Sequence, residues 1–344
     1  MNLEKIKIKP LIETLKLEDI SDEIYFSKKY SNYISNSRLG LINPNQDGSP
    51  EKFFNGGFNA FSDSLIFGSA CHELVLQPES FFICESVDRP TSKAGYIADY
   101  AYDKAGEFPS DSKLIEAASK YEYYKTTFNN SKLEVLKDKC KDYWKNRYEF
   151  ESLNTDSRIP IYLDPKNRER LSACLKALDS NNKIQELLHP TGLIQEPIVA
   201  NEKTILLDVE VQVEDYKPFI LKLKSKLDNF SIDCDTNTVT VNDLKTTGKM
   251  VNVFNEAIYT FHYCREMGMY SYLLSLCASK FYDLKNPTIK SNFLVVSTIP
   301  QYYTKVVPMT KKLFLKGFHE FVNLTKLVGY YVATDSRYKH FASV

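Results

Sequence analysis

The chain has 344 residues, 43% hydrophobic and 26% charged, ordinary values for a globular protein of one large domain or two smaller ones. Its 44 basic and 44 acidic residues cancel, which argues against coating nucleic acid through a broad basic surface but leaves room for a local basic channel. No apolar run approaches the roughly 18 residues needed to span a bilayer. The first twenty residues, MNLEKIKIKPLIETLKLEDI, are charged throughout and lack a signal-peptide core. Seven cysteines are scattered without CxxC or metal-finger spacing, so the expectation is a cytoplasmic protein with reduced thiols and no membrane partner. Tyrosine is abundant, at 23 residues; some aromatics among the lysines could stack on bases, although core and amphipathic surface positions account for most.

Taken in order, Ile6 to Tyr33 reads as a polar lead-in with short helices, and Ser35–Leu39 opens another short helix. Asn43–Pro50 and Asn55-Gly56-Gly57 are loops by their turn chemistry. Ser62 is a good N-cap for a helix in which Leu65, Ser69, His72 and Leu76 fall on one stripe and Pro78 marks the end. Gly68 lies one turn below His72 on the same face, where a glycine allows close approach. A lone pair of this kind is more often a structural histidine beside a packing glycine. From Arg89 to Pro190 the pattern is mostly helical, with apolar spacing in Asp111–Thr127, Ser131–Phe150 and Pro165–Leu188. A loop at Glu151–Pro160 separates these, and His189-Pro190-Thr191-Gly192 is a stop. Strands are expected at Ile194–Val199 and Thr204–Val213.

Phe219 to Lys249 alternates apolar and polar residues on either side of a polar turn at Asp233–Thr238, which predicts two strands joined by a hairpin or short loop. Asp243 and Lys245 then share a face, Leu244 points into the opposite layer, and Asp228 can lie beside Asp243. Two carboxylates and a lysine on one face are costly without a cation, because like charges at close range push a pKa up. A hard divalent metal with oxygen ligands relieves that cost. By itself D-x-K recurs by chance, and an exposed strand with a cross-strand salt bridge is the commoner explanation. Thr246-Thr247-Gly248-Lys249 leads into a helical pair in which Tyr263, Met267, Tyr270 and Leu274 keep helical spacing. Strands at Ser291–Thr298 and Tyr302–Val307 and a terminal helix, Thr310–Tyr330, complete an α/β core.

Asp228, with Asp243-Leu244-Lys245-Thr246-Thr247 on the next strand, resembles the PD-(D/E)XK nuclease core. Within that superfamily it is similar to the RecB/RecE-like exonucleases of phages and prophages, the exonuclease VIII type. The proline of the superfamily motif is replaced here by Leu227. Gly68-Ser69-Ala70-Cys71-His72, followed by Leu76-Gln77-Pro78-Glu79-Ser80-Phe81, resembles the "G-x-x-x-H…L-x-P-x-x-F" helix of the same nucleases, in the proper order.

The resemblance implies a restriction-endonuclease-like α/β fold, a mixed central sheet flanked by helices. A lead-in at 1–61 would precede a single nuclease domain at 62–344 carrying a helical insertion at about 90–190. It implies metal-dependent hydrolysis of DNA phosphodiesters, with Asp228, Asp243, His72 and the Leu244 carbonyl holding Mg²⁺ or Mn²⁺ and Lys245 orienting the attacking water. Glu196 stands where relatives often place an acidic residue on the first core strand; it is equally readable as an ordinary strand-end glutamate. Relatives carry Gln-x-x-x-Tyr on a helix bordering the site. Here Tyr270 is kept and Glu266 replaces the glutamine, setting a carboxylate against the phosphate backbone. Lys226, Thr246 and Thr247 join Glu266 and Tyr270 as the implied DNA-contacting set.

Some relatives hold an iron–sulfur cluster near the C-terminus. Cys264 and Cys277 cannot supply its four cysteines, and no cluster is expected. The implied substrate is linear duplex DNA, resected from its ends in phage recombination or replication, with a single-strand annealing protein as partner and a homo-oligomer left open. The rivals are an endonuclease with the same core and a non-catalytic DNA-binding or virion protein retaining the fold. The intact Asp228, Asp243 and Lys245 speak against the second rival.

Overall fold

The structure, a computed structural model, describes residues 3–56, 62–105, 108–124, 129–192 and 194–342. Gly57 of the expected second loop and residues 125–127 of the expected Asp111–Thr127 helix lie outside these. The chain divides into two compact units, Met1–Ala60 with Ala177–Val344, and Phe61–Lys176. Its strands are β1 (Ile6–Pro10), β2 (Lys16–Glu18), β3 (Tyr33–Ile34), β4 (Phe81–Ile83), β5 (Ile159–Ile161), β6 (Ile198–Val213), β7 (Phe219–Asp233), β8 (Thr238–Thr247), β9 (Thr288–Ser297) and β10 (Thr304–Pro308).

In the larger unit eight strands form one mixed sheet in the order β1-β6-β7-β8-β9-β10, with β2 also on β6 and β3 on β7. β8 and β9 pair in parallel because the chain between them returns through the helices Phe254–Thr260 and Tyr263–Tyr282. The β7–β8 connection is a tight turn in which Asp233 Oδ1 accepts the Thr236 N–H at 3.1 Å and Asn237 takes a φ of 50°. The fold is therefore α/β, with a mixed central sheet flanked by helices.

Two readings that bear on the main sheet differ from the structure. Ile6–Pro10 and Lys16–Glu18, expected within a lead-in of short helices, are strands antiparallel to β6. Ile6-Lys7-Ile8-Lys9 does alternate, but its partner is remote in sequence, with Ile6 opposite Val213. The strands expected at Ile194–Val199 and Thr204–Val213 are one, β6; its pairing with β7 keeps the same register on both sides of Glu202.

Leu221, Phe230, Ile232, Val239, Val241 and Phe293 of the sheet join Met267, Leu273, Phe321 and Val328 of two long helices in one core. These helices, Tyr263–Tyr282 and Lys311–Thr334, approach backbone to backbone at Gly268 and Gly317. A Cβ on Gly317 would lie 1.7 Å from the Cys264 carbonyl oxygen, and one on Gly268 would lie 2.5 Å from the Phe318 nitrogen. Glycine at the crossing sets how deeply the Tyr263–Tyr282 helix sits.

The smaller unit is mostly helical. Its helix Asp63–Leu76 starts where Ser62 Oγ accepts the Leu65 N–H at 3.2 Å. Ile97, Ala101, Leu114, Leu136 and Trp144 fill a separate core, and Trp144 donates its indole N–H to the Ala98 carbonyl at 3.0 Å. Arg147 contacts Glu151 at 2.7 Å and Asp103 at 2.8 Å, while Tyr143 donates to Asp99 at 2.6 Å. β4 and β5 pair in parallel within this unit.

Gly317→Ala should destabilise the protein by about 1–3 kcal/mol, the usual cost of overpacking a rigid contact. Urea unfolding measures it; an unchanged midpoint would mean that the helices have room to part.

Candidate active site

The register of the sheet lines up carboxylates. Asn201 pairs with Asn229, and Asn229 with Asn242. One position further along, Glu202, Asp228 and Asp243 come opposite one another on β6, β7 and β8. Regular pairing fails at this row. Between β6 and β7 the ladder passes from Asn201↔Asn229 to Lys203↔Leu227, and between β7 and β8 it ends at Asn229↔Asn242. Glu202 has a φ of 54°, a left-handed conformation that costs a non-glycine residue about 1 kcal/mol or more and is held here by the rungs on either side. Beyond the last β7–β8 rung, Asp228 Oδ2 accepts the Leu244 backbone N–H at 2.8 Å. That bond occupies a backbone donor where the ladder has ended.

Asp243 is 1% exposed. Lys245 Nζ lies 2.7 Å from its Oδ2 and 3.4 Å from Glu266 Oε2, and stands 5.0 Å above the centre of the Tyr263 ring. The Lys245–Asp243 contact is an ion pair outside hydrogen-bond geometry, and neither Asp243 oxygen accepts a directional hydrogen bond among the described residues. One helical turn beyond Glu266, Tyr270 donates its hydroxyl to Glu266 Oε1 at 3.2 Å.

Burial pushes the Asp243 carboxyl well above the ordinary range, and Glu266 and Asp228 add to this against the pull of Lys245. Burial alone would lower Lys245, but Asp243, Glu266 and Asp228 outweigh it and hold the ammonium charged well beyond its usual range. The Tyr270 phenol is raised by burial and then by Glu266, so it stays a neutral donor. Glu202 is pushed up to about 7, first by burial and then by Asp228, with Lys226 opposing.

Asp228, Asp243, Lys245, Glu266 and Tyr270 are thus brought together within one unit. Lys226 turns inward, 3.2 Å from Glu202 and paired also with Asp22. Leu244 presents its N–H to Asp228. Thr246 and Thr247 end β8, where the Thr247 carbonyl accepts the Thr298 N–H at 2.8 Å. Glu196 does not join the row; it is exposed in the turn before β6, six residues ahead of Glu202, and its carboxylate takes the Gly192 N–H at 3.5 Å. His72 stands half-buried on the Asp63–Leu76 helix of the smaller unit.

Glu202 was not legible from spacing. It follows Asn201 in a run whose alternation says nothing of a left-handed residue, and only the β6–β7 register sets it against Asp228. Chemically, Glu202 and Asp228 bring carboxylate oxygens within 4.8 Å of one another, with the buried Asp243 on the strand beside Asp228, and oxygen donors of this kind suit a hard divalent cation.

No family model matches the chain, and no curated protein matches it. Among solved structures, a crystal structure of a "putative exonuclease" from Eubacterium rectale is similar over 94% of this chain and 93% of that one, with 10% sequence identity and a TM-score of 0.45. At that identity and score the likeness says nothing of the chemistry of this chain. No helix among the described residues is long and apolar enough to cross a membrane.

Glu202 gives the metal-free protein a pH dependence with a definite sign. Its folded pKa of about 7 lies above the ordinary 4.5, so the folded state holds the proton more tightly between these values. Stability present below 4.5 is lost as pH rises through about 7, by on the order of 3 kcal/mol. Glu202→Gln should flatten that part of the profile. Denaturant unfolding at pH 5 and pH 8 for both proteins measures it, and equal slopes would place Glu202 in a solvated setting.

Proposed function

We propose that this protein is a metal-dependent deoxyribonuclease of PD-(D/E)XK type, acting as an exonuclease on linear duplex DNA. The observation that carries the reading is the buried Asp243, its oxygens outside directional hydrogen bonds among the described residues, with Lys245 at 2.7 Å and Asp228 on the adjoining strand. A buried carboxylate in this state is expensive as a structural element and useful as a cation ligand. The sequence resemblance of the Asp228 and Asp243-Leu244-Lys245-Thr246-Thr247 segments supports the same assignment.

In this reading Asp228, Asp243 and Glu202 hold Mg²⁺ or Mn²⁺. When bound, the ion supplies positive charge to the scissile phosphate and makes water a better acid. Lys245, kept charged by Asp243 and Glu266, faces the phosphate and stabilises the negative charge that develops on its oxygens. Glu266 and Tyr270 fix the lysine: the tyrosine hydroxyl holds one Glu266 oxygen while the other stays within 3.4 Å of Nζ. Glu266 is thus a partner of Lys245 before it is anything to the DNA, which accounts for a carboxylate where relatives carry glutamine.

The Leu244 carbonyl and His72 enter this proposal from the sequence resemblance alone, as further ligands. The role in phage recombination or replication, with an annealing protein receiving the single strand, rests on the same ground.

Asp243→Asn and Lys245→Ala should each lower cleavage by about 100- to 1,000-fold, the range for losing one electrostatic donor, while far-UV circular dichroism stays unchanged. The assay is digestion of end-labelled linear duplex beside a covalently closed circle, with Mg²⁺ or Mn²⁺. Degradation of the linear form alone supports the exonuclease. Nicking of the circle favours the endonuclease, and a folded variant cutting at the wild-type rate would remove its residue from the site.

His72→Ala should raise the Mn²⁺ concentration needed for half-maximal cleavage, since imidazole is a borderline donor better suited to Mn²⁺ than to Mg²⁺. An unchanged metal requirement with a lower melting temperature would make His72 a packing residue.

A further inference from the structure

Immediately beside the carboxylate row runs a row of asparagines. Asn201, Asn229, Asn242 and Asn292 are successive cross-strand partners on β6, β7, β8 and β9. Their side-chain amides join head to tail: Asn292 Nδ2 donates to Asn242 Oδ1 at 3.0 Å, Asn242 Nδ2 to Asn229 Oδ1 at 2.8 Å, and Asn229 Nδ2 to Asn201 Oδ1 at 2.7 Å. Asn242 Nδ2 also donates to the Leu187 carbonyl at 3.0 Å. Asn229 and Asn242 are among the most buried polar groups of the larger unit.

This row is hard to explain as a source of stability. Asparagine is a poor strand former, and a hydrogen-bonded buried amide adds little over an apolar side chain of the same shape. The row does restrict register. A slip of one residue between any two of these strands would break an amide–amide bond in the interior and turn every side chain to the other face. Its place in the sheet is equally specific. Each of the first three asparagines is the sequence neighbour of an acidic residue, Asn201 of Glu202, Asn229 of Asp228 and Asn242 of Asp243. The Asn229↔Asn242 rung is also the last regular one before β7 and β8 stop pairing.

We propose that the asparagine row Asn201–Asn229–Asn242–Asn292 positions the metal-binding carboxylates, clamping four strands in the one register that sets Glu202, Asp228 and Asp243 together. These are positioning residues that act through the backbone and touch neither ion nor substrate. The inference rests on the metal reading of the site, and its test separates the two.

The test is Mn²⁺ binding to the full-length protein by isothermal titration calorimetry, without DNA, for wild type and Asn229→Leu, with melting curves on both. Leucine is close to asparagine in size and removes two of the amide bonds. Asn229→Leu should bind Mn²⁺ at least about tenfold more weakly, the scale for losing an outer support of a metal site, while its far-UV circular dichroism stays that of wild type and its melting temperature falls because Asn201 and Asn242 lose this partner. Equal affinity in the two proteins overturns the proposal and leaves the metal site standing. A wild-type protein that binds no Mn²⁺ overturns both. Should Asn229→Leu fail to fold, Asn292→Ala decides. It removes only the open end of the row and should weaken Mn²⁺ in the same direction; unaltered binding there overturns the row.

Discussion

The larger unit is built around a charge pair that a folding chain would ordinarily avoid. Asp243 and Lys245 sit two residues apart on β8, the carboxylate almost wholly out of water, where the cost of desolvation offsets much of an ion pair's mutual attraction. Other elements converge to hold that pair. The Tyr263–Tyr282 helix brings Glu266 to the far side of Lys245, with Tyr270 bracing it, and the Gly268–Gly317 crossing lets the helix lie close to its neighbour. The sheet contributes Asp228 and Glu202 by register alone. Neither could be moved one residue without leaving the row.

Among the described residues of the larger unit, carboxyls outnumber ammonium groups at this place: Glu202, Asp228, Asp243 and Glu266 stand with Lys226 and Lys245, and Asp22 also pairs with Lys226. Protons answer part of the excess, which is why burial and like charge raise both Asp243 and Glu202. One divalent cation would answer it directly, displacing those protons and using the Asp243 oxygens that hydrogen bonds leave unused. On the proposed reading, the strain at Glu202 and the early end of the β7–β8 ladder have the same cause. Regular pairing would hold these carboxylates in a flat row, whereas a parted row lets them turn toward a common ligand.

Much of this was legible in the sequence where the signals are local. The alternation of Phe219–Lys249 with a polar turn predicted the β7–β8 hairpin, and period two placed Asp243 and Lys245 on one face with Leu244 behind them. Ser62 and Pro78 bracketed the Asp63–Leu76 helix through capping chemistry that acts over three or four residues. The missed features share a dependence on remote partners. Ile6–Pro10 is a strand because Val209–Val213 lies beside it, a pairing that no window of fifteen residues contains. Glu196 precedes β6 and stays outside the row, while Glu202 lies within the strand and is set against Asp228 only by the β6–β7 register, which no local spacing shows. The asparagine row was invisible for the same reason: four scattered asparagines become one feature only when four strands are aligned.

The most direct measurement is an anomalous difference map from a crystal grown with Mn²⁺. A peak within coordinating distance of both an Asp228 and an Asp243 carboxylate oxygen, with Glu202 turned toward it, is the predicted result. A map with no peak between β7 and β8, the Asp243 carboxylate still facing only Lys245, would contradict the account and make the buried pair a structural ion pair.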